Sequence, residues 1–394
     1  MTMRWFVAIV ATLLLTRSAS FASAADPLTI PAILPVTGSA AFLGKEFSET
    51  LALVENQVNK SGGIGGRPLH FAIQDTQSSP QVAVQLTNAL LAGNPQLMIN
   101  GAPLGVCAAV VPLVQNGPVM YCLSPSIRPE AGGYTYGVMA SSRDCLIAAM
   151  NYYKSRGFKK IAILDGTDAT GSDADTILAD LIKLPDYAGM SYVANEHFNL
   201  ADLSVAAQVA RIKQSGAQAM IAYTTGTPIA TVLHGMSDGG LDIPVLTSNG
   251  NMSVAQLDGY KAFVPKELLF SAYSAFTADP ASDRGVQQKI DEFRADMKAA
   301  NESPDLLHAI PWDPAFLIVE ALKRAGPNAT AQQIRDTLAG VQNWPGVLGR
   351  YDYRAIPNRG LGLKAMIVAR WDPARSTWVD ATKGNEATKV ATRV

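Results

Sequence analysis

Asn59-Lys60-Ser61-Gly62-Gly63-Ile64-Gly65-Gly66-Arg67-Pro68-Leu69 is the stretch on which the reading of this chain turns. It follows an amphipathic run, Glu46 to Val58, and precedes an alternating one, Leu69-His70-Phe71-Ala72-Ile73. Four glycines in five positions end a helix and turn the chain sharply, because glycine enters positive-φ space without a Cβ penalty. Glycine-rich loops can cradle phosphate, but those run strand, glycines, helix, so that helix-start N–H groups face the anion. The order here is helix, glycines, strand. The loop therefore reads as punctuation in an alternating α/β chain.

That alternation extends both ways. Strands are expected over Leu28–Leu34, Leu69–Gln74, Leu97–Asn100 and Val119–Cys122, with helices over Gly44–Val58, Pro80–Leu91 and Val106–Gln115. A second series starts with a helix over Arg143–Ser155. It continues with strands over Lys160–Leu164, Met190–Glu196, Ala219–Tyr223 and Pro244–Leu246, and helices over Ser172–Ile182, Asp202–Ser215 and Pro228–Gly235. Helices over Ser282–Ala299 and Pro314–Ala325, then strands over Gly349–Tyr353 and Leu363–Trp371, close the chain. Short, wholly apolar strands belong to sheets covered on both faces, and a βαβ rhythm makes such sheets mostly parallel. Two consecutive series of similar size predict two doubly wound lobes.

The first 25 residues read as a signal peptide: Arg4, an apolar run from Trp5 to Leu15, and a small-x-small site at Ala22-Ser23-Ala24, with cleavage near Ala24/Ala25. The expected location is the periplasm. Without Arg4 and Arg17, 30 of the 32 basic residues remain against 33 acidic ones, a net of −3, which gives no footing for nucleic acid or an anionic membrane. The remaining length suits two domains. Cys107, Cys122 and Cys145 allow one disulfide and a free thiol, or none, and read by default as small buried hydrophobes.

No constellation for catalysis emerges, so the chain is not read as an enzyme. His70, His197, His234 and His308 include no i, i+4 pair and no H-E-x-x-H, so no metal or cofactor is called for. There is no G-x-S-x-G elbow. Gly360-Leu361-Gly362-Leu363-Lys364-Ala365 fits a dinucleotide pattern by letters but leads into a β-like run. The acidic segment Asp165–Asp175 lacks the calcium-loop rhythm and reads as a strand-to-helix loop, with Ser172 as the expected cap. Loops at Gly101–Gly105, Ser124–Pro129 and Tyr223–Pro228 stand at equivalent strand ends, where doubly wound sheets bind ligands.

Leu34-Pro35-Val36-Thr37-Gly38, Gly62-Gly63-Ile64, Gln74-Asp75-Thr76, Asn116-Gly117-Pro118-Val119, Ser124-Pro125-Ser126 and Asp168–Gly171, in this order and spacing, resemble the type I periplasmic solute-binding proteins of branched-chain amino-acid ABC transporters. The resemblance covers nearly the whole chain after residue 25. It implies the type I periplasmic-binding-protein fold, with two Rossmann-like lobes joined by hinge strands. Lobe 1 would span 26–142 and 274–342, lobe 2 would span 143–273 and 343–382, and 383–394 would form a C-terminal tail. It also implies a monomer that hands a small molecule to an inner-membrane ABC permease. Carried over to this sequence, the ligand-binding positions are Phe42, Leu43, Ala102, Leu104, Gly105, Ser124, Ser126, Asp168, Thr170, Tyr223, Thr225, Gly226, Asn249 and Trp312.

Three positions depart from the family's amino-acid binders. Leu43 stands where a polar aromatic is usual, Leu104 where a serine is, and Asn249 near the acidic residue that meets the ammonium. A buried ammonium without a carboxylate partner is costly. The expected ligand is therefore a small organic acid, aromatic or otherwise apolar. Phe42, Leu43, Leu104 and Trp312 would wall it; Ser126, Thr170, Thr225 and helix-start N–H groups, with Arg128 as an alternative, would hold its carboxylate. Asp168 as an ammonium partner keeps an apolar amino acid as the rival ligand, and a sensory receptor for a signalling partner is the rival role.

Overall fold

The computed structural model describes residues 26–383. The expected signal peptide and all but the first residue of the expected tail lie outside the described residues. The first sheet has five parallel strands in the order β2-β1-β3-β4-β5. They are β1 (Leu28–Leu34), β2 (Leu69–Asp75), β3 (Leu97–Asn100), β4 (Val119–Cys122) and β5 (Thr135–Gly137). Their connections carry α1 (Ala41–Lys60), α2 (Pro80–Leu91) and α3 (Leu104–Val110). β3 and β4 are buried at every residue, as a sheet covered on both faces requires.

The glycine loop does what its order implied. Gly62, Gly63, Gly65 and Gly66 all have positive φ. The Gly63 N–H closes on the Val58 carbonyl at 2.9 Å, and Ile64 and Arg67 exchange backbone bonds across Gly65-Gly66. A Cβ on Gly63 would lie 2.1 Å from the Arg67 carbonyl oxygen, so no other residue fits there without moving the chain. Leu69 then enters β2 in register with Leu28.

The second sheet has seven strands in the order β14-β13-β10-β9-β8-β6-β7. β6 (Lys160–Gly166), β7 (Ser191–Phe198), β8 (Ala219–Ala222), β9 (Val245–Thr247) and β10 (Leu268–Ala272) run parallel, while β13 (Ile367–Asp372) and β14 (Thr377–Asp380) form an antiparallel edge. α4 (Ser142–Ser155), α5 (Ala169–Leu181), α6 (Ala206–Ser215), α7 (Pro228–Asp238) and α8 (Val254–Asp258) connect or flank these strands. Ser141 starts α4 with a capping box that includes Asp144.

α9 (Arg284–Ala300), α10 (Leu306–Ala325) and α11 (Ala331–Ala339) return the chain to the first sheet's side, where Thr50 of α1 donates to the His308 carbonyl of α10 at 3.0 Å. Sequence reading starts α10 at Pro314, because proline opens helices; the structure begins it at Leu306 and carries Pro311 and Pro314 inside. The run Leu306–Ala315 is wholly buried, and that burial outweighs the lost backbone bonds.

The strand expected over 349–353 is only β12 (Arg350–Tyr351), paired with β11 (Trp344–Pro345) in a separate ribbon. Hydrogen bonds tie this segment to α10 and to the chain that follows β5. Asp313 accepts from Val347 N and Leu348 N at 2.8 and 2.9 Å, and the Tyr351 hydroxyl donates to Val138 O at 2.8 Å. Burial pushes the Asp313 carboxyl up to about 6, against the pull of those N–H groups. Cys107 of α3 and Cys122 of β4 form a disulfide, so two of the three cysteines are not simple packing residues; Cys145 is free and buried.

Candidate functional site

A cleft forms where the segments after β1, β3 and β4 meet those after β6, β8 and β9. The first sheet's side gives it Leu43, Phe47, Ala102, Pro103, Leu104, Leu123, Ser124, Pro125 and Ser126, with Ile310 from α10. The second sheet's side gives Thr170, Tyr223, Thr225, Ser248, Asn249 and Gly250. No lining residue is acidic, basic or histidine. The cavity is about 30 Å³, against about 150 Å³ for a dry apolar cavity that holds benzene.

The polar groups are paired in ways that leave valence over. Thr225 Oγ1 donates to Ser248 Oγ at 2.9 Å, and Ser248 Oγ also accepts from Gly250 N at 3.2 Å. With its acceptor side used twice, the Ser248 hydroxyl keeps its own proton to give. Ser126 Oγ lies 2.6 Å from Ser142 Oγ at the head of α4. Among the described residues, two buried atoms of the lining find no hydrogen-bond partner: Tyr223 OH and Asn249 Oδ1. Burial holds the Tyr223 phenol well above its ordinary range, so it stays a neutral donor. Behind it, burial also raises the Asp165 carboxyl well above the usual range, with one oxygen held by Tyr223 N at 2.8 Å.

Of the positions carried over by resemblance, Leu43, Ala102, Leu104, Ser124, Ser126, Thr170, Tyr223, Thr225 and Asn249 meet at this cleft. Five do not line it. Trp312 packs edge-on to Phe293 and against Phe316 inside the first lobe, with ring centroids 5.1 and 5.2 Å apart. Asp168 is the N-cap of α5, its Oδ1 accepting from Gly171 N at 3.2 Å; the helix starts three residues before Ser172, which is not its cap. Gly226 donates its N–H to Asn251 Oδ1 at 2.9 Å. A Cβ on Gly226 would meet Ser39 O at 2.8 Å and the Phe42 ring at 3.3 Å, so Gly226 and Phe42 form a contact between the lobes. Gly105 faces Pro80 and Ala169. Arg128 pairs with Asp173 on a mostly exposed side chain, outside the cleft.

Sequence reasoning missed Phe47, Pro103, Leu123, Pro125, Gly250 and Ile310 as lining residues. Phe47 could have been found: it lies one helical turn beyond Leu43 on the same face of α1. Ile310 comes from α10, some 260 residues along the chain, and no local signal announces it.

Beside the cleft, further contacts join the lobes. Ser253 Oγ donates to Glu46 Oε1 at 2.6 Å, and Val254 N donates to Asp305 Oδ2 at 3.0 Å. Burial, and the negative Asp305 beside it, push the Glu46 carboxyl up to about 9. With Arg128–Asp173 and Phe42–Gly226, these contacts describe a closed cleft.

The family model described as periplasmic binding protein matches residues 27–377. The leucine-, isoleucine-, valine-, threonine- and alanine-binding protein of Pseudomonas aeruginosa is 22% identical over 326 residues, 80% of this chain and 84% of its own. The Leu/Ile/Val-binding protein homolog 3 of Brucella melitensis is 22% identical over 90% of this chain and 94% of its own. Among solved structures, an extracellular ligand-binding receptor from Rhodopseudomonas palustris superposes with a TM-score of 0.79 at 19% identity, covering 89% of this chain and 99% of that one. The branched-chain amino acid transporter substrate-binding protein LivJ from Streptococcus pneumoniae, in complex with isoleucine, gives 0.74 at 18%, covering 90% and 98%.

Proposed function

The chain belongs to the periplasmic binding protein family, and from that premise we propose that it captures a small apolar carboxylic acid between its two lobes and delivers it to an inner-membrane ABC permease. The observation that carries the ligand class is a cleft lining without a carboxylate, amine, guanidinium or imidazole. An amino acid would bring its ammonium into this space with no carboxylate to meet it, at a cost of several kcal/mol. A carboxylate needs only donors, and the Ser248 hydroxyl, the Tyr223 phenol and the Ser126–Ser142 pair supply them. Leu43, Phe47, Leu104 and Ile310 offer the ligand's tail an apolar wall.

A cavity of this size is smaller than either a branched or an aromatic acid, so the lobes must part further to admit one. The division into 26–142 with 274–361 against 143–273 with 362–382 is proposed for the moving bodies, the segment 344–361 being placed with the first because Asp313 and Val138 hold it. Closure on ligand adds about 2.7 kcal/mol of stability at a hundredfold excess over Kd.

An apolar amino acid is the second reading. The unpartnered Asn249 Oδ1 is a neutral acceptor that an ammonium could reach, and the relatives are named for amino acids. A thermal-shift panel of short branched acids, aromatic acids and branched-chain amino acids decides between them. The proposal requires the acids to raise the melting midpoint most. Strong stabilisation by leucine, isoleucine or valine with none by the acids refutes it.

A further inference from the structure

A second polar cluster lies outside the cleft, between α1 and the start of α10. Asp305 caps α10 and stands 2.8 Å from His308 Nδ1, and its other oxygen accepts from Val254 N. The Asp305 carboxylate on Nδ1 orients the ring and leaves Nε2 as the nitrogen whose lone pair a metal can take. His308 is 3% exposed, and its Nε2 is buried with no hydrogen-bond partner. That lone pair faces Glu49 Oε2 at 3.8 Å and Glu302 Oε2 at 3.9 Å. Glu49 Oε2 is likewise buried and unpartnered. Two carboxylate oxygens converge on this nitrogen, and buried polar atoms without a hydrogen-bond partner are costly.

We propose that His308 Nε2, Glu49 and Glu302 form a binding site for a divalent transition-metal cation of the zinc type, with Asp305 as the positioning residue. The three ligand atoms all lie within 4.8 Å of one another. Metal bonds of about 2.0–2.2 Å in a tetrahedral site set ligand atoms roughly 3.3–3.6 Å apart, so the two edges to Nε2 must shorten by a few tenths of an ångström and the edge between the glutamate oxygens by up to roughly 1.5 Å. The two glutamate side chains, each about one-third exposed, can make that shift, and a water would fill the fourth position. An imidazole with two carboxylates selects zinc-like cations over magnesium or calcium, which take oxygen only. The Asp305–His308 pair is the carboxylate–histidine arrangement that orients a metal-binding imidazole. Lys45 holds the other Glu49 oxygen, Oε1, at 2.6 Å on an exposed side chain, so it need not leave.

The site would brace the apolar wall of the cleft from behind. α1 carries Glu49 together with Leu43 and Phe47, and α10 carries His308 two residues before Ile310. The inference does not rest on the identity of the cleft ligand.

Calorimetric titration of chelator-treated full chain with Zn²⁺ tests it, with the Co²⁺ absorption spectrum as a second readout. The expected result is one equivalent bound, a rise in melting midpoint, and four-coordinate Co²⁺ bands, with Mg²⁺ giving none of these. Glu49→Gln with Glu302→Gln, both near the surface, should keep the far-ultraviolet circular dichroism and weaken Zn²⁺ at least tenfold. His308→Gln is the direct but buried variant, so the glutamate pair carries the decision. No binding, equal binding by the paired variant, or an equal response to Mg²⁺ overturns the proposal; the second would place the metal on a surface pair such as His197 and Asp175.

Discussion

The two walls of the cleft are made of different chemistry. The first lobe's wall is mostly aliphatic and aromatic, with Ser124 and Ser126 as its only hydroxyls; the second is hydroxyl, phenol and amide, with Gly250 the sole exception. The walls also differ in how they are held. Cys107–Cys122 ties α3, which carries Leu104, to β4, whose end leads into Ser124. The second wall is held by packing around Tyr223 and by hydrogen bonds such as Asn251 Nδ2 to Thr224 O at 2.8 Å and Thr225 to Ser248, with no disulfide among its described residues. A stapled apolar wall against an adaptable polar one suits a ligand whose tail is sorted by shape and whose acid end is gripped on closure.

The largest expected effect comes from charging the polar wall. Asn249→Asp places a carboxylate where a ligand carboxylate is proposed to sit, and like charges at that range cost several kcal/mol. Calorimetry should show acid binding weakened a hundredfold or more and amine-bearing ligands favoured. Retained acid affinity would mean the acid end lies elsewhere.

Removing the staple comes next. The bridge closes a sequence separation of 15 residues, for which chain entropy gives about 3 kcal/mol. Cys107→Ala with Cys122→Ala should lower unfolding stability by about that much in urea, and reductant should do the same to the wild type. No loss would mean the first wall needs no covalent brace.

Ser126→Ala tests a hydroxyl on the apolar wall. A hydrogen bond to a charged acceptor is worth about 1.5–3 kcal/mol, so Kd should rise by roughly tenfold to a hundredfold with the fold intact. An unchanged Kd removes Ser126 from the grip and leaves the acid to the second wall.

The smallest effect lies off both walls and serves as their control. Arg350 and the backbone N–H groups that open α9 hold the Asp283 carboxyl below the usual carboxylate range. A depressed folded-state pKa adds stability above the unfolded value near 4, and that stability is lost as pH falls through the folded value. Asp283→Asn should therefore lower stability slightly at neutral pH, with the gap to wild type closing in acid and ligand Kd unchanged. A changed Kd would tie the ribbon of β11 and β12 to the cleft.

Much of the architecture was legible locally. Residues 28–34, 80–91, 97–100 and 119–122 form the elements expected of them, because short buried strands and a Ser79-Pro80 helix start are written in neighbouring residues. β5 went unread because three residues beside two glycines carry no periodicity. Helix α10 was read short because its two prolines argue locally against what only burial can enforce. At the cleft, the loops after the strands supply most of the lining, whereas Trp312 and Asp168 turn away from it, because a side chain's direction depends on what packs around it.

Backbone sterics and residue chemistry set the alternation of strands and helices, the turn at Gly62–Gly66, and the uncharged character of Leu43, Leu104 and Asn249. Long-range packing brought Ile310 to the cleft, Cys107 to Cys122, and His308 to face Glu49 and Glu302. Spacing along a chain fixes neighbours within a few residues; bringing α1 against α10 required the packing of the whole lobe.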